Sequence, residues 1–70
     1  MKLFTAPSCG PCRMLKGLLK DNKGVEFVDA TEPDGMEQVE AYGIRSVPTL
    51  VTDDHEVIAG VMEIKKQLGI

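Results

Sequence analysis

The sequence predicts an α/β fold of order β-α-β-α-β-β-α, and three observations predict it. A helical crossover separates the first two apolar strands, a short turn joins the last two, and a Cys9-Gly10-Pro11-Cys12 stretch marks the junction of the first strand with the first helix. The crossover implies a parallel pair with a right-handed connection, and the hairpin adds antiparallel strands to the same sheet. The result is a four-stranded mixed sheet flanked by three helices. Seventy residues hold one domain over 1–70, whose core must be compact and well patterned.

Each element has its own signal. Lys2 to Thr5 reads as a short buried strand, ended by the loop Ala6-Pro7-Ser8. Leu15, Leu18 and Leu19, joined by Cys12 and Met14, recur at helical spacing, with Arg13, Lys16 and Lys20 on other faces. Asn22-Lys23-Gly24 is the stop signal and places the end of this helix near residue 22. Val25 to Asp29 is a strand that is apolar apart from Glu26, and Thr31 to Asp34 carries capping residues and a proline suited to a helix start. Met36, Val39 and Tyr42 then predict a helix over about 34–42, closed by Gly43. Pro48 cannot donate within a central ladder, so the next strand is placed at about 49–52. Asp53-Asp54-His55 turns the chain into the strand Glu56 to Ala59; Gly60 breaks it, and Val61, Ile64 and Leu68 mark the last helix.

Composition narrows the function classes. Hydrophobic residues make up 43% and charged residues 27%, with three aromatics, an ordinary soluble balance that argues against disorder. The net charge of −3 is divided unevenly: Lys2, Arg13, Lys16, Lys20 and Lys23 face only Asp21 up to residue 25, whereas Glu26, Asp29, Glu32, Asp34, Glu37 and Glu40 have no base among them. Nucleic acid would find no extended basic surface beyond the first helix. Solvated helix faces account for both groups; the alternative is a polarised surface that orients protein partners. No stretch reads as a secretory signal or a membrane span, so a reducing cytoplasm is the expected compartment.

Two thiols three residues apart are close enough to close a disulfide. As a structural staple they would be poor, because so short a loop removes little unfolded-chain entropy. Thiol–disulfide exchange uses them better: one accessible thiolate attacks a target disulfide, and a protected neighbour resolves the mixed disulfide. A helix N-terminus favours the thiolate of Cys9, the expected nucleophile, and places Cys12 on the apolar face as the resolving thiol. Pro11 begins the helix where its missing N–H costs little. A zinc site takes four ligands, and beside the two cysteines only His55, in a distant turn, is a strong candidate, so no metal is expected.

Over nearly its whole length the chain resembles the thioredoxin superfamily. Ala6-Pro7-Ser8-Cys9-Gly10-Pro11-Cys12-Arg13 is similar to the thioredoxin active-site segment, and Tyr42-Gly43-Ile44-Arg45-Ser46-Val47-Pro48-Thr49-Leu50 to the segment that carries a cis-proline facing the cysteines. The size resembles a glutaredoxin, while the Gly10-Pro11 dipeptide is of the thioredoxin type. The resemblance implies a minimal thioredoxin fold and a protein-disulfide reductase working through a reversible Cys9–Cys12 disulfide, with no bound cofactor. It implies a substrate surface of Ser8, Gly10, Pro11, Val47, Pro48 and Gly60, with Pro48 cis and the Val47 backbone open to an extended substrate; for Gly60 a plain strand-ending role is an equal alternative. The implied partners are disulfide-bearing proteins and an NADPH-dependent thioredoxin reductase, with the chain itself a monomer. A glutathione-coupled glutaredoxin and a non-enzymatic accessory module are the alternatives.

The chain departs from the family pattern at three places. Ser8 stands where thioredoxins usually have the Trp that forms an apolar lip. Leu3 stands where the family places a buried Asp that accepts the proton of the resolving thiol, which leaves water or another group, Glu26 among the candidates, to deprotonate Cys12. Gly60-Val61-Met62-Glu63 matches the glutathione-recognising segment of glutaredoxins poorly.

Overall fold

The computed structural model of the chain describes residues 1–19 and 24–70. Its elements run β1 (Lys2–Thr5), α1 (Gly10–Leu18), β2 (Glu26–Asp29), α2 (Pro33–Tyr42), β3 (Thr49–Val51), β4 (Val57–Ala59) and α3 (Val61–Leu68). The sheet order is β2-β1-β3-β4. β1 pairs parallel with β2 and antiparallel with β3, and β3 pairs antiparallel with β4. The order and the mixed sheet are those the sequence predicts.

Alternation along β1 divides the core between the two faces of the sheet. Leu3 pairs in register with Phe27 and Leu50, and on that face Leu15 and Leu19 from α1 and Ile64 from α3 close over it. Phe4 points the other way, where it packs with Ile44 and Val51 against Val39 and Tyr42 of α2. The Phe4 and Tyr42 rings meet edge to face, with centroids 6.2 Å apart. α1 and α3 therefore share one face, and α2 covers the other.

Two helices bury only part of the apolar residues that mark them in the sequence. In α1 Cys12 and Leu15 are buried, as is the C-capping Leu19, whereas Met14 and Leu18 remain 48% and 49% exposed. In α2 Met36 is 53% exposed, and Gly35, one residue earlier, is the buried position. The first turn of α2 lies so close to β2 that a Cβ at Gly35 would overlap the Asp29 carbonyl oxygen. The α1 ladder ends with the Leu19 N–H donating to the Leu15 carbonyl, and the Asn22-Lys23 part of the expected stop lies outside the described residues. Gly43 closes α2 in the left-handed conformation, as its sequence signal predicts.

Candidate active site

The end of β1 delivers the chain to the cysteines through a tight turn. The Cys9 N–H donates to the Ala6 carbonyl at 3.2 Å, and the Arg13 guanidinium donates to the Pro7 carbonyl at 3.2 Å, bracing the loop from the helix side. Arg13 is therefore a brace as well as a solvated helix residue. Cys9 has extended backbone angles and caps α1, while Gly10 and Pro11 make the first turn without needing a partner for the missing proline N–H.

The two sulfurs are disulfide-bonded, with Cα atoms 5.2 Å apart. Their surroundings differ sharply. Cys9 is partly exposed and its Sγ accepts the Cys12 backbone N–H at 3.2 Å, a donor that favours negative charge on that sulfur once the pair is reduced. Cys12 is 1% exposed, on the side of α1 that carries Leu15. Attack from outside can reach Cys9 and is blocked at Cys12.

The opposing wall comes from the segment before β3. The Val47–Pro48 peptide bond is cis, as the resemblance implies. The Val47 carbonyl oxygen lies 3.9 Å from Cys9 Sγ, Pro48 is buried, and the Thr49 hydroxyl donates to the Ser46 carbonyl at 2.6 Å, which fixes this turn. Gly60, with φ 93°, donates its N–H to the Pro48 carbonyl at 3.3 Å. The sheet thus brings residues 9–12, 47–48 and 60 to one end of the molecule. Ser8, Gly10 and Pro11 are exposed around Cys9.

A cleft of about 260 Å³ opens between Ala6 and Val47, with Ala30, Val39, Ile44 and Arg45 also lining it. A larger hollow of about 400 Å³, bordered by Met1, Tyr42 and His55, has no cysteine in its lining.

Proton chemistry at the site is sparse. Leu3 is fully buried within the apolar cluster of the α1 face. Glu26 is exposed and pairs in register with Lys2, at the end of β1 away from the motif, so it is not placed to take the Cys12 proton. Asp29, opposite Thr5, is the carboxylate that β2 places at the site end of the sheet. It accepts from the Thr31 hydroxyl at 2.6 Å and the Thr31 N–H at 2.8 Å, and these bonds, with a smaller contribution from the Lys16 charge, hold its carboxyl below the ordinary 3.8. A carboxylate so satisfied is a weak base. The Asp-x-Thr pattern at 29–31 is a readable turn signal that the sequence reading passed over. Among the described residues no group of three or more His, Cys, Asp or Glu gathers to hold a metal ion, and no helix is long and apolar enough to cross a membrane.

Comparison with known proteins agrees with this geometry. A glutaredoxin family model matches residues 1–57. A probable thioredoxin of Archaeoglobus fulgidus is 34% identical over 67 residues, covering 87% of this chain and 72% of that protein. A thioredoxin of Pyropia yezoensis is 36% identical over 53 residues, covering 69% of this chain and 50% of that protein. The NADPH-dependent thioredoxin reductase 3 of Arabidopsis thaliana is 41% identical over 51 residues, which is 66% of this chain and only 10% of the plant protein. The chain thus spans a small part of some relatives and most of others. The crystal structure of a thioredoxin-like protein superposes with a TM-score of 0.71 at 32% identity, covering 99% of this chain and 97% of that one. With a glutaredoxin model over most of its length, thioredoxins among its relatives and a disulfide-capable pair capping α1, the chain belongs to the glutaredoxin family of the thioredoxin superfamily and is a thioredoxin-like thiol–disulfide oxidoreductase.

Proposed function

We propose that the chain is a protein-disulfide reductase of the reducing cytoplasm, a single-domain monomer that carries electrons from an NADPH-dependent thioredoxin reductase to disulfide-bearing proteins. The observation that carries this reading is the unequal pair: a partly exposed Cys9 whose sulfur accepts a backbone N–H, over a Cys12 that is sealed from solvent. The match to a segment of a plant protein named as a thioredoxin reductase supports the choice of electron donor. Gly10-Pro11 supports it further, because this dipeptide is of the thioredoxin type.

The reaction then proceeds in two exchanges. The Cys9 thiolate attacks one sulfur of the target disulfide; a Cys9–target bond forms, the target S–S bond breaks, and the second target sulfur leaves as thiolate. That thiolate takes the proton of Cys12, since Leu3 offers no acceptor. The Cys12 thiolate attacks Cys9 Sγ, the Cys9–Cys12 disulfide forms, and the first target sulfur leaves and is protonated by water. Two electrons pass from the chain to the target, with one proton from Cys12 and one from water. Val47 and Pro48 flank an extended target segment beside Cys9, Gly60 lets it approach, and Ser8, Gly10 and Pro11 border it.

The glutaredoxin family match favours a second reading, in which glutathione is the donor. Insulin reduction, supplied in parallel with NADPH and thioredoxin reductase or with glutathione and its reductase, decides between them. Turnover with the first system, and a reduction potential nearer about −270 mV than about −120 mV, are expected; turnover with glutathione alone would overturn the choice of donor. Cys9→Ser is expected to abolish turnover, and a phenotype left unchanged by that substitution would favour the accessory-module reading.

A further inference from the structure

Helix α1 divides into three sectors. At about 100° per residue, Cys12, Leu15 and Leu19 share the sector under the sheet, Arg13 and Lys16 a second, and Gly10, Pro11, Met14, Gly17 and Leu18 a third of roughly 120°. All five residues of the third sector are exposed and none is charged. A single exposed apolar side chain needs no explanation, but a contiguous apolar sector marks an interaction surface.

Gly17 sharpens the point. A glycine inside a helix is destabilising relative to alanine. Nothing among the described residues requires it: its backbone is not left-handed, and an added Cβ would meet none of them within 4 Å. What the glycine does provide is a gap beside Met14 and Leu18 through which another molecule can approach the helix backbone.

We propose that this sector is a docking surface for the folded protein whose disulfide is exchanged, and that this partner presents an apolar ridge bordered by carboxylates. The proposal rests on the function proposed above. Two features select the occupant. The sector begins at Gly10 and Pro11, between the two cysteines, so a protein seated on Cys9 extends onto it. Arg13 adjoins the sector at Gly17 and is positive, whereas Lys16 lies further round with its Nζ 5.7 Å from the centre of the Phe27 ring, so the complementary rim on the Arg13 side is acidic.

The test uses the pre-reduced chain mixed with excess insulin, as a protein disulfide, or with hydroxyethyl disulfide, as a small neutral one, with protein thiols counted after acid quench. Replacing Met14→Gln and Leu18→Gln together, which removes the apolar surface without adding charge, is expected to lower the second-order rate constant for insulin about three- to tenfold, the range of an interface side chain that matters, while that for hydroxyethyl disulfide moves less than about twofold. Gly17→Gln, which fills the gap and suits a helix, is expected to slow insulin likewise. Met36→Gln, an equally exposed site on the opposite face, is the control and should leave insulin exchange unchanged. An unchanged insulin rate in both α1 variants overturns the docking surface. Equal slowing toward both disulfides also overturns it, because the chemistry and not docking would then be affected. A dimer by sedimentation that the Gln pair dissolves overturns it in favour of a second copy. If the unaltered chain reacts with neither disulfide, the proposed function itself fails.

Discussion

Cys9 and Cys12 carry the same side chain, and three positions along α1 give them different chemistry. The helix N-terminus supplies Cys9 with a backbone donor and an open approach, and one turn further in the same helix buries Cys12 beside its core-facing leucine. That difference follows from helical geometry and is legible in the spacing alone. The role of Asp29 was less visible, because an acidic residue at a strand end reads equally as a solvated charge. Its hydrogen bonds to Thr31 make it a local fastener, and its low pKa gives that contribution a pH signature. A carboxyl held below its ordinary value in the fold stabilises fully above the unfolded-state pKa, and the contribution is lost as pH falls through the folded value. Asp29→Asn should therefore be less stable than the unaltered chain at pH 7, with the gap closing below about pH 3.9. Urea unfolding across this range checks it, and a gap that widens on acidification would refute the assignment.

At the level of elements, recurrence identified each helix more securely than the side it buries. In α1 the apolar residues span two adjoining sectors, and periodicity cannot choose between them; the choice is made by where β1 and β2 lie, which leaves Met14 and Leu18 outside. In α2 the expected stripe of Met36, Val39 and Tyr42 is displaced at its first member, because the helix approaches the Asp29 carbonyl closely enough that only glycine fits at 35. A glycine in a helical stretch reads from sequence as a weak helix position, and its packing role depends on a neighbour six residues back. The two helical glycines therefore predict opposite outcomes. Gly35→Ala should cost about 1–3 kcal/mol, since the obstructing atom is backbone and cannot rotate away. Gly17→Ala should stabilise by about 0.5–1 kcal/mol, since its Cβ meets open space. Urea denaturation of the two variants measures both, and equal shifts in the same direction would show that the close approach at Gly35 is not a determinant of stability.

For the molecule as a whole, the strand order followed from local grammar: a crossover makes β1 and β2 parallel, and a five-residue connection makes β3 and β4 a hairpin. The meeting of Cys9 with Val47 did not, because residues 38 apart are brought together only by the placement of β3 beside β1, and the resemblance to a known family supplied it. The same topology turns an uneven charge distribution along the chain into one across the sheet. Arg13 and Lys16 lie on α1 over one face, while Asp34, Glu37 and Glu40 lie on α2 over the other, so a protein approaching Cys9 along α1 meets positive charge although the chain is net negative. Raising ionic strength from about 0.01 M to about 1 M shortens the screening length from about 30 Å to about 3 Å. Exchange with insulin should therefore slow with added salt, and exchange with neutral hydroxyethyl disulfide should not. Lys16→Gln should flatten the insulin dependence, whereas Glu37→Gln on the far face should leave it unchanged. Stopped-flow rates across this salt range measure both slopes, and an insulin rate indifferent to salt would mean that the polarity of the sheet faces plays no part in how partners are oriented.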